Sequence, residues 1–380
     1  MKCLCCKNKV TKFFDFGKMP PSDYFAPTKN LALKSKTFRL EVGRCGTCHL
    51  VQNLYVVSAN ERYKKNNYTY NSANSVFAKK HWAEYVKNIS SFISKESRII
   101  DIGCNDGYLL SLLKKKTNSK YIFGLDPSSF QINKSKRRYK NINFKCGYGE
   151  QIVDFFGEDY FDVITCNNVF NHSSNPLLFL RRIKSSLKDS GLIIIEVPNW
   201  INTVKSKLWD QIYHEHVSYF TPFSVCKIFK KADLKIVKID NINYHGGSLR
   251  IFAKKSGDSI FYNKDAKLTE CKFLAKSAMI RKAKAIKKIN TLKNHKIFLF
   301  GAPAKGNTLI NYFGLNNKNI FAAFETSKNK IGKFFPKACI PIISEKNVLK
   351  SNGYLINLNW NIPFVFDKFC KKNKFKKLII

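Results

Sequence analysis

The segment RIIDIGCNDGYLL, residues 98–110, decides the fold because it joins a strand, a tight turn and the start of a helix. Its apolar first half predicts a buried strand that ends at Asp101, and Gly103 and Gly107 let the backbone turn sharply onto a helix. The free N–H groups of that helix would face a carboxylate. The spacing is Gly-x-x-x-Gly, which favours S-adenosylmethionine over a dinucleotide, and Asn105 falls between the two glycines in the same predicted site.

Polar residues also end the neighbouring predicted strands. Asp126 ends the strand YIFGLDP, where a carboxylate can accept hydrogen bonds from both hydroxyls of a ribose. Asn167 and Asn168 follow the strand FDVITC and would lie beside the methyl donor at the carboxyl edge of the sheet. The order of strand, turn, helix, strand and acid predicts an S-adenosylmethionine site, and an ordinary α/β turn is the alternative.

The pattern after residue 98 alternates strands with helices, which predicts a parallel sheet with helices on both faces. A helix is predicted over 175–191, and the segments LKIVKID and SLRIFAKK are expected to form an antiparallel hairpin at the sheet edge. A lysine-rich helix over 264–293 leads to a second α/β unit, whose strands are KIFLFGA, IFAAFET and GYLINLNW and whose helix opens with KGNTLINYF.

Two CxxC motifs stand near the start of the chain, Cys3 with Cys6 and Cys45 with Cys48. Four thiolates close the tetrahedral shell of one zinc ion, and a closed shell is typical of a structural site. A redox CxxC is the alternative, which the second motif disfavours. His49 is a poorer candidate ligand.

The predicted fold class is therefore α/β, with a Rossmann-like sheet that binds S-adenosylmethionine at its centre. A small zinc-binding module is predicted over 1–60, and the methyltransferase domain over 61–260, with a helical lead-in over 61–97. A second α/β domain is predicted over 261–380.

Composition limits the partners and the location. The formal net charge is +41, but the lysines are spread along the chain and form no single basic arm, so we do not expect a nucleic-acid partner. No apolar run approaches the roughly 18 residues that a membrane helix needs, and Cys3 follows too closely on Met1 for a signal peptide. We expect a cytoplasmic protein without a membrane partner. We expect the protein to be a monomer.

The run DQIYHEHVSYF places Tyr213, His214, Glu215 and His216 side by side. A lone histidine is usually a core residue, whereas four polar residues together near a strand edge favour a catalytic site. Metal binding and a structural role are the alternatives, and metal binding is disfavoured because adjacent residues on a strand point to opposite faces.

Together these motifs resemble the deoxysugar C-methyltransferases of antibiotic and surface-polysaccharide pathways, which methylate a carbon of a nucleotide-linked keto-sugar. The resemblance covers almost the whole chain. It rests on the paired CxxC motifs and on YTYNSANSVFAKKH, DIGCNDGYLL, NNVFNH, EVPN, DQIYHEHVSYF, NYHGGSLR, GAPAKGNTL and ETSKNKIGKFFP. It implies zinc-binding, cofactor-binding and C-terminal domains, and a nucleotide-diphosphate keto-sugar as substrate.

The resemblance also implies roles for individual residues. His216 matches the general base of the family, and Tyr213 and Glu215 match its active-site neighbours. His172 of NNVFNH and Tyr70 of YTYNS match residues that face the sugar.

Two further matches lie in AKGN, where Lys305 and Asn307 belong to the C-terminal domain that helps to bind the nucleotide sugar. Two features depart from the family. Pro303 interrupts a run of small residues, and the tail FVFDKFCKKNKFKKLII lacks the proline-containing final strand that the family leads us to expect.

The chemistry implied by the resemblance needs a base, because a sugar carbon becomes nucleophilic only when a neighbouring carbonyl acidifies its proton. Histidine suits this role since its ordinary pKa is about 6.5. The enolate oxygen also needs a stabilising donor, for which Tyr213 and His172 are the candidates, while Glu215 would orient an imidazole. Methylation of a sugar oxygen or nitrogen stays open. Methylation of a nucleic acid is less favoured because NNVF lacks the Asn/Asp-Pro-Pro-aromatic pattern.

Overall fold

The computed structural model describes residues 1–64, 76–348, 353–359 and 363–380. The strands are β1 Val10–Met19, β2 Phe38–Cys45, β3 Val51–Asn53, β4 Arg98–Ile102, β5 Tyr121–Asp126, β6 Asn143–Cys146, β7 Phe161–Asn167, β8 Leu187–Pro198, β9 Ser218–Tyr219, β10 Lys235–Ile242, β11 Ser248–Lys254, β12 Ile297–Phe300, β13 Ala322–Glu325, β14 Ile342–Ser344, β15 Tyr354–Asn357 and β16 Lys376–Lys377.

The α-helices are α1 Lys29–Leu33, α2 Val76–Ile89, α3 Tyr108–Thr117, α4 Ser129–Arg138, α5 Ile152–Phe156, α6 Pro176–Ser186, α7 Trp200–Lys205, α8 Pro222–Lys231, α9 Leu268–Asn290, α10 Ala304–Phe313 and α11 Pro363–Asn373. Short 3₁₀ turns cover Ser90–Phe92, Gly149–Gln151, Phe170–His172, Trp209–Gln211 and Glu345–Asn347, and Asn60–Lys64 forms one turn of π-helix.

The central sheet has the strand order β10-β11-β8-β7-β4-β5-β6. Strands β4 to β8 are parallel to one another, and β11 and β10 add an antiparallel pair beside β8. The predicted parallel sheet with an antiparallel edge hairpin is confirmed. Because β4 lies between β5 and β7, the strand order reverses at the carboxyl end of β4, where ligands bind in open α/β sheets.

Burial on both faces explains why the central strands form. Ile193, Ile194 and Ile195 of β8 are all fully buried, as expected for a strand covered by helices on both sides. Helix α3 buries Leu109 and Leu113 against the sheet, and its lysines face solvent at the last turn.

One predicted helix is shorter than expected. The prediction over 175–191 was wrong at its end, since α6 stops at Ser186 and Leu187 begins β8. Leu187 pairs with Phe161 of β7 and is fully buried, so sheet pairing recruits it in place of another helical turn.

The N-terminal sheet is antiparallel, with the order β1-β2-β3-β9, and its last strand comes from the central part of the chain. Asn53, at the end of β3, strengthens this pairing. Its backbone N–H donates to the Val217 carbonyl at 2.9 Å, and its side-chain amide donates to the Tyr213 carbonyl at 3.1 Å. The segment between Tyr213 and β9 is therefore held by the N-terminal sheet.

The C-terminal sheet is parallel throughout, with the order β14-β13-β12-β15-β16. The divergent tail forms helix α11 and then β16, which supplies the edge strand. Apolar packing joins this unit to the other two, because the Phe16 ring lies 5.0 Å from Tyr312 and the Trp209 ring 5.4 Å from Phe313. No helix in the described ranges is both long and apolar enough to cross a membrane.

A buried ion pair connects β8 to β11 at the open end of the central sheet. The Arg250 guanidinium donates from Nε and Nη2 to Glu196 Oε2 at 3.0 and 2.9 Å. The other Glu196 oxygen lies 2.8 Å from His81 Nε2, and the Tyr85 ring lies 4.4 Å from the guanidinium carbon. Both charged side chains are almost completely buried, so each depends on the other for compensation.

We predict that Arg250→Leu lowers the free energy of unfolding by about 3–5 kcal/mol, because it leaves Glu196 buried without its main cationic partner. Urea unfolding followed by circular dichroism measures this loss. Lys238→Ala is the control, since Lys238 forms an exposed pair with Asp240 and its removal should change stability little. An Arg250→Leu variant as stable as the control would contradict the prediction.

Candidate active site

A cavity of about 730 Å³ opens at the carboxyl end of the central sheet. One wall consists of residues at and after the ends of β4, β5 and β7. A second wall comes from the DQIYHEH segment with His245, and a third from the start of α10, including Lys305, and from the loop after β13. Residues that are distant in sequence therefore face one cavity, as in many ligand sites.

Two buried carboxylates, Asp101 and Asp126, lie on the central wall. Asp101 Oδ1 accepts a hydrogen bond from the Thr165 hydroxyl at 2.7 Å, and burial raises the pKa of Asp101 to about 7. Asp126 accepts from the backbone N–H groups of Asn105 at 2.9 Å and Ser128 at 2.8 Å. These bonds oppose the effect of burial, which raises the pKa of Asp126 to about 6. Each carboxylate oxygen can accept a further hydrogen bond from a ligand.

The turn after β4 requires glycine at Gly103. Its φ angle is 72°, and a Cβ atom there would lie 2.1 Å from Val169 Cγ2. Gly107, with φ of 73°, caps the start of α3, and Asn105 between them has φ of 50°. Asn168, after β7, has φ of 56°. The backbone therefore curves in the left-handed region on both sides of the cleft, and no larger residue fits at Gly103.

These residues fit S-adenosylmethionine. The two carboxylates offer acceptors to an amino group and to ribose hydroxyls, and the tight glycine turn brings backbone close to the cavity. The side chain of Asn167 also faces the cleft, and its Oδ1 is buried without a hydrogen-bond partner among the described residues. All seven residues predicted to bind the cofactor lie at the carboxyl ends of β4, β5 and β7 or in the turn between β4 and α3: Asp101, Gly103, Asn105, Gly107, Asp126, Asn167 and Asn168.

The imidazole of His216 is fixed at both nitrogens. Nδ1 lies 2.8 Å from the Gln211 carbonyl oxygen, which can only accept, so Nδ1 carries the proton. Burial lowers the pKa of His216 to about 3, and the ring is therefore neutral. Nε2 is then an acceptor, and the Tyr213 hydroxyl donates to it at 2.7 Å. Tyr213 and His216 thus form a hydrogen-bonded pair that lines the cavity.

The two residues between them point in different directions. Glu215 lines the cavity, and its Oε1 accepts from the backbone N–H groups of Ser22 at 3.1 Å and Asp23 at 3.2 Å. Burial raises the pKa of this carboxyl. His214 instead lies outside the cavity lining, with its Nε2 3.1 Å from the Met19 carbonyl. The N-terminal module therefore contacts this segment through the side chains of His214 and Glu215.

His172 lies near this pair, with its ring centre 5.2 Å from that of His216. Burial, together with the positive charge of Arg62, holds the pKa of His172 well below its usual range. Arg62 was not predicted from the sequence. It lines the cavity and donates from Nη1 to the His172 carbonyl at 2.8 Å and from Nη2 to the Ser174 hydroxyl at 2.9 Å.

The remaining predicted substrate residues have different positions. Lys305 lines the cavity, whereas Asn307 does not. The Asn307 amide donates to the carbonyls of Pro21 at 3.2 Å and Ser22 at 3.1 Å, so it holds an N-terminal segment against α10. Tyr70 lies outside the described residues. Asp23, Gln211 and His245 also line the cavity. The only sequence signal for Gln211 and His245 is that they lie within the motifs DQIYHEH and NYHGGSLR.

The four predicted cysteine ligands lie together, apart from the cavity. The sulfur atoms of Cys3, Cys6, Cys45 and Cys48 are all within 4.8 Å of one another. His49, the poorer candidate, is not part of this group, because its Nδ1 lies 2.8 Å from Asp265. Four thiols at this separation can surround one ion.

Three family models match the chain. "Putative zinc binding domain" matches residues 3–63, "Methyltransferase domain" matches 76–239 and "C-methyltransferase C-terminal domain" matches 243–374. C-methyltransferase NovU of Streptomyces niveus is 24% identical over 381 residues, which cover 93% of this chain and 88% of NovU. A tRNA U34 carboxymethyltransferase of Nautilia profundicola is 29% identical over 135 residues, covering 32% of this chain and 42% of that protein.

Among solved structures, a SAM-dependent methyltransferase from Aquifex aeolicus aligns with 45% of this chain and 88% of its own, at 18% identity and a TM-score of 0.36. The PH0226 protein of Pyrococcus horikoshii aligns with 50% of this chain and 95% of its own, at 14% identity and a TM-score of 0.42.

We predict that Gly103→Ala weakens binding of S-adenosylmethionine, because the added methyl group would collide with Val169 and the backbone would resist φ of 72°. A loss of about 1.4 kcal/mol of binding free energy lowers the affinity roughly tenfold, and titration calorimetry can measure this change. Gly314→Ala is the matched control, since φ there is 73° and nothing lies within 4 Å of its added methyl group. Wild-type affinity in Gly103→Ala, with the control also unchanged, would contradict this assignment.

Proposed function

Since the chain belongs to the three-domain, S-adenosylmethionine-dependent C-methyltransferases, we propose that it methylates a carbon of a nucleotide-linked keto-sugar. The observation that carries this proposal is the Tyr213–His216 pair in a cavity that it shares with Asp101 and Asp126. The substrate class rests on the motifs that resemble the deoxysugar enzymes and on the full-length similarity to a protein named as a C-methyltransferase.

The cofactor-binding wall would position the methyl donor. Asp126 would accept hydrogen bonds from ribose hydroxyls, and Asp101 and Asn167 lie at the ends of β4 and β7, where the methionine part would sit. When bound, S-adenosylmethionine supplies an electrophilic methyl group. The protein's contribution is to orient the acceptor carbon in line with that group and to keep water away.

His216 acts as the general base in this proposal. Its Nε2 carries the basic lone pair of the neutral ring, and the bond from Nδ1 to the Gln211 carbonyl fixes both the tautomer and the ring orientation. Tyr213, which donates to Nε2 in the free enzyme, first directs its hydroxyl to the ketone oxygen of the bound sugar and frees the nitrogen. The proton removed from the carbon alpha to the ketone then passes to Nε2.

Glu215 supports the pair from the other side. Its Oε1 is held by two backbone N–H groups of the N-terminal module, which fixes the carboxyl group and the backbone between Tyr213 and His216. His172 gives the sugar pocket a second neutral imidazole close to the base. Methylation of a sugar oxygen or nitrogen would need no proton removal from carbon, and therefore no such base beside a ketone.

We predict that His216→Asn reduces both methylation and proton exchange by about 10²–10⁴-fold, the usual contribution of a positioned base. Exchange is measured in deuterium oxide with a keto-sugar nucleotide and S-adenosylhomocysteine, by following deuterium uptake at one sugar carbon. Tyr213→Phe should slow both reactions by about 10²-fold and leave residual activity.

His214→Asn is the matched control, because His214 points away from the cavity and should retain exchange and methylation. Mass spectrometry must find the new methyl group on carbon. Near-normal turnover of His216→Asn, or a methyl group on oxygen or nitrogen, would contradict the mechanism.

We also infer that the four clustered cysteines bind one structural zinc ion. Cys3, Cys45 and Cys48 are buried, and four thiolates leave no coordination position for substrate. The cluster lies at the ends of β2 and β3, so the ion would fix the register of the N-terminal sheet.

We predict one zinc per chain in protein purified without chelator, measured by elemental analysis. Cys45→Ser should lose the metal and unfold the module, because structural zinc contributes on the order of 10–16 kcal/mol in small peptides. Cys5→Ser is the matched control, since Cys5 lies in the first motif but outside the four-sulfur group. Metal-free wild-type protein with an unchanged melting curve would contradict a zinc site.

A further inference from the structure

The proposed base is weak in the free enzyme. Burial, together with the nearby His245, lowers the pKa of His216 to about 3. A weakly basic imidazole removes a proton from carbon efficiently only if the resulting enolate is strongly stabilised. One neutral hydroxyl from Tyr213 is a single donor, and a cation close to the ketone oxygen would stabilise the enolate further.

Lys305 is a cation that lines the same cavity as Tyr213 and His216. It lies in the first turn of α10 and lines the cavity, and its side chain is only partly buried, so a ligand can reach it. Burial lowers its pKa to about 8 while the carboxylate of Asp210 opposes that effect, and the ammonium form prevails at neutral pH.

Lys305 shares the cavity lining with His245 and Gln211, which are hydrogen-bonded to each other and, through Gln211, to His216. Its charge acts on His245, whose pKa falls to about 4 through burial and this repulsion. The His245 carbonyl accepts from the Gln211 side-chain amide at 2.8 Å, and the Gln211 carbonyl accepts from His216 Nδ1 at 2.8 Å. Asp210, the residue that raises the pKa of Lys305, directly precedes Gln211. Lys305 therefore faces the same cavity as Gln211, the residue that orients the His216 imidazole.

We propose that Lys305 is a catalytic residue whose ammonium group donates a hydrogen bond to the ketone oxygen and stabilises the enolate. This inference rests on the proposed function. The C–H bond breaks, its proton goes to His216 Nε2, and its electron pair forms the C=C bond while the carbonyl π pair moves to oxygen. The enolate carbon then bonds to the methyl carbon, the sulfur–methyl electron pair stays on sulfur, and the ketone is restored. Lys305 keeps its proton throughout.

The alternative role for Lys305 is binding of the substrate's diphosphate group. The C-terminal wall also presents Lys330, whose Nζ donates to the Ala302 carbonyl at 2.9 Å, so a second cation is available for an anionic group there. An experiment can separate the two roles. A lysine that binds the diphosphate is needed for substrate binding, whereas a lysine that stabilises the enolate is needed only for turnover.

The test compares Lys305→Met and Lys305→Arg with the wild type. The probes are thymidine diphosphate alone and a thymidine-diphosphate 4-keto-6-deoxysugar, each with S-adenosylhomocysteine bound. Lys305→Met should slow deuterium exchange and kcat by about 10²–10³-fold, while the Kd for thymidine diphosphate stays within a few fold. Lys305→Arg should restore part of both rates because it keeps the charge. Lys284→Met removes an exposed lysine on α9 and is the control for lost charge.

The outcomes are distinguishable. A large rise in the Kd for thymidine diphosphate, with kcat at saturation near the wild-type value, would assign Lys305 to the diphosphate and overturn the inference. Unchanged rates in a folded Lys305→Met variant would overturn it as well. If the wild type neither exchanges deuterium nor methylates carbon, the proposed function fails, and the role of Lys305 fails with it.

Discussion

The pairing of β3 with β9 is the contact on which the geometry of the site depends. β9 has only two residues, and it begins two residues after His216. β3 follows the second CxxC motif at a short interval, so the same few residues connect the cysteine cluster to the segment that carries the proposed base. Asn53 doubles the connection, since it binds the backbone on both sides of that segment. A metal in the cysteine cluster would therefore influence catalysis through sheet register, at a distance from the reacting atoms.

Burial of ionisable groups is the second constraint, and it sets the chemistry of the cavity. His172, His214, His216 and His245 all have lowered pKa values, with burial as the largest cause. Burial also raises the pKa values of Asp101, Asp126 and Glu215. An environment that disfavours isolated charges strengthens any charge pair formed within it. In the proposed mechanism the enolate beside the Lys305 ammonium group is such a pair, and it lets a weakly basic imidazole serve as the base.

Local pattern predicted the parts of the fold that depend on local physics. The strand, glycine turn and helix around Gly103, the alternation after it and the edge hairpin all follow from hydrophobic periodicity and from backbone requirements of glycine. The end of α6 was missed because Leu187 is recruited by β7, a partner distant in sequence. β9 was missed because a two-residue strand has no periodicity to detect and because its partner β3 is also distant in sequence. The family resemblance indicated His216 and Tyr213. Neither the resemblance nor the local sequence pattern indicated Arg62, which donates to the carbonyl of His172, 110 residues further along the chain.

The position of Asn307 shows why one cavity needs all three parts of the chain. Its amide binds carbonyl groups of the segment that begins at Pro21, and the Ser22 hydroxyl lies 3.0 Å from the Thr308 hydroxyl. The same segment donates its backbone N–H groups to Glu215. One short stretch of the N-terminal module is thus bonded to α10 on one side and to the segment that carries the proposed base on the other. Separation of any module would leave these polar groups unpaired and would expose the aromatic contacts around Phe16 and Trp209, so the cavity is a property of the whole chain.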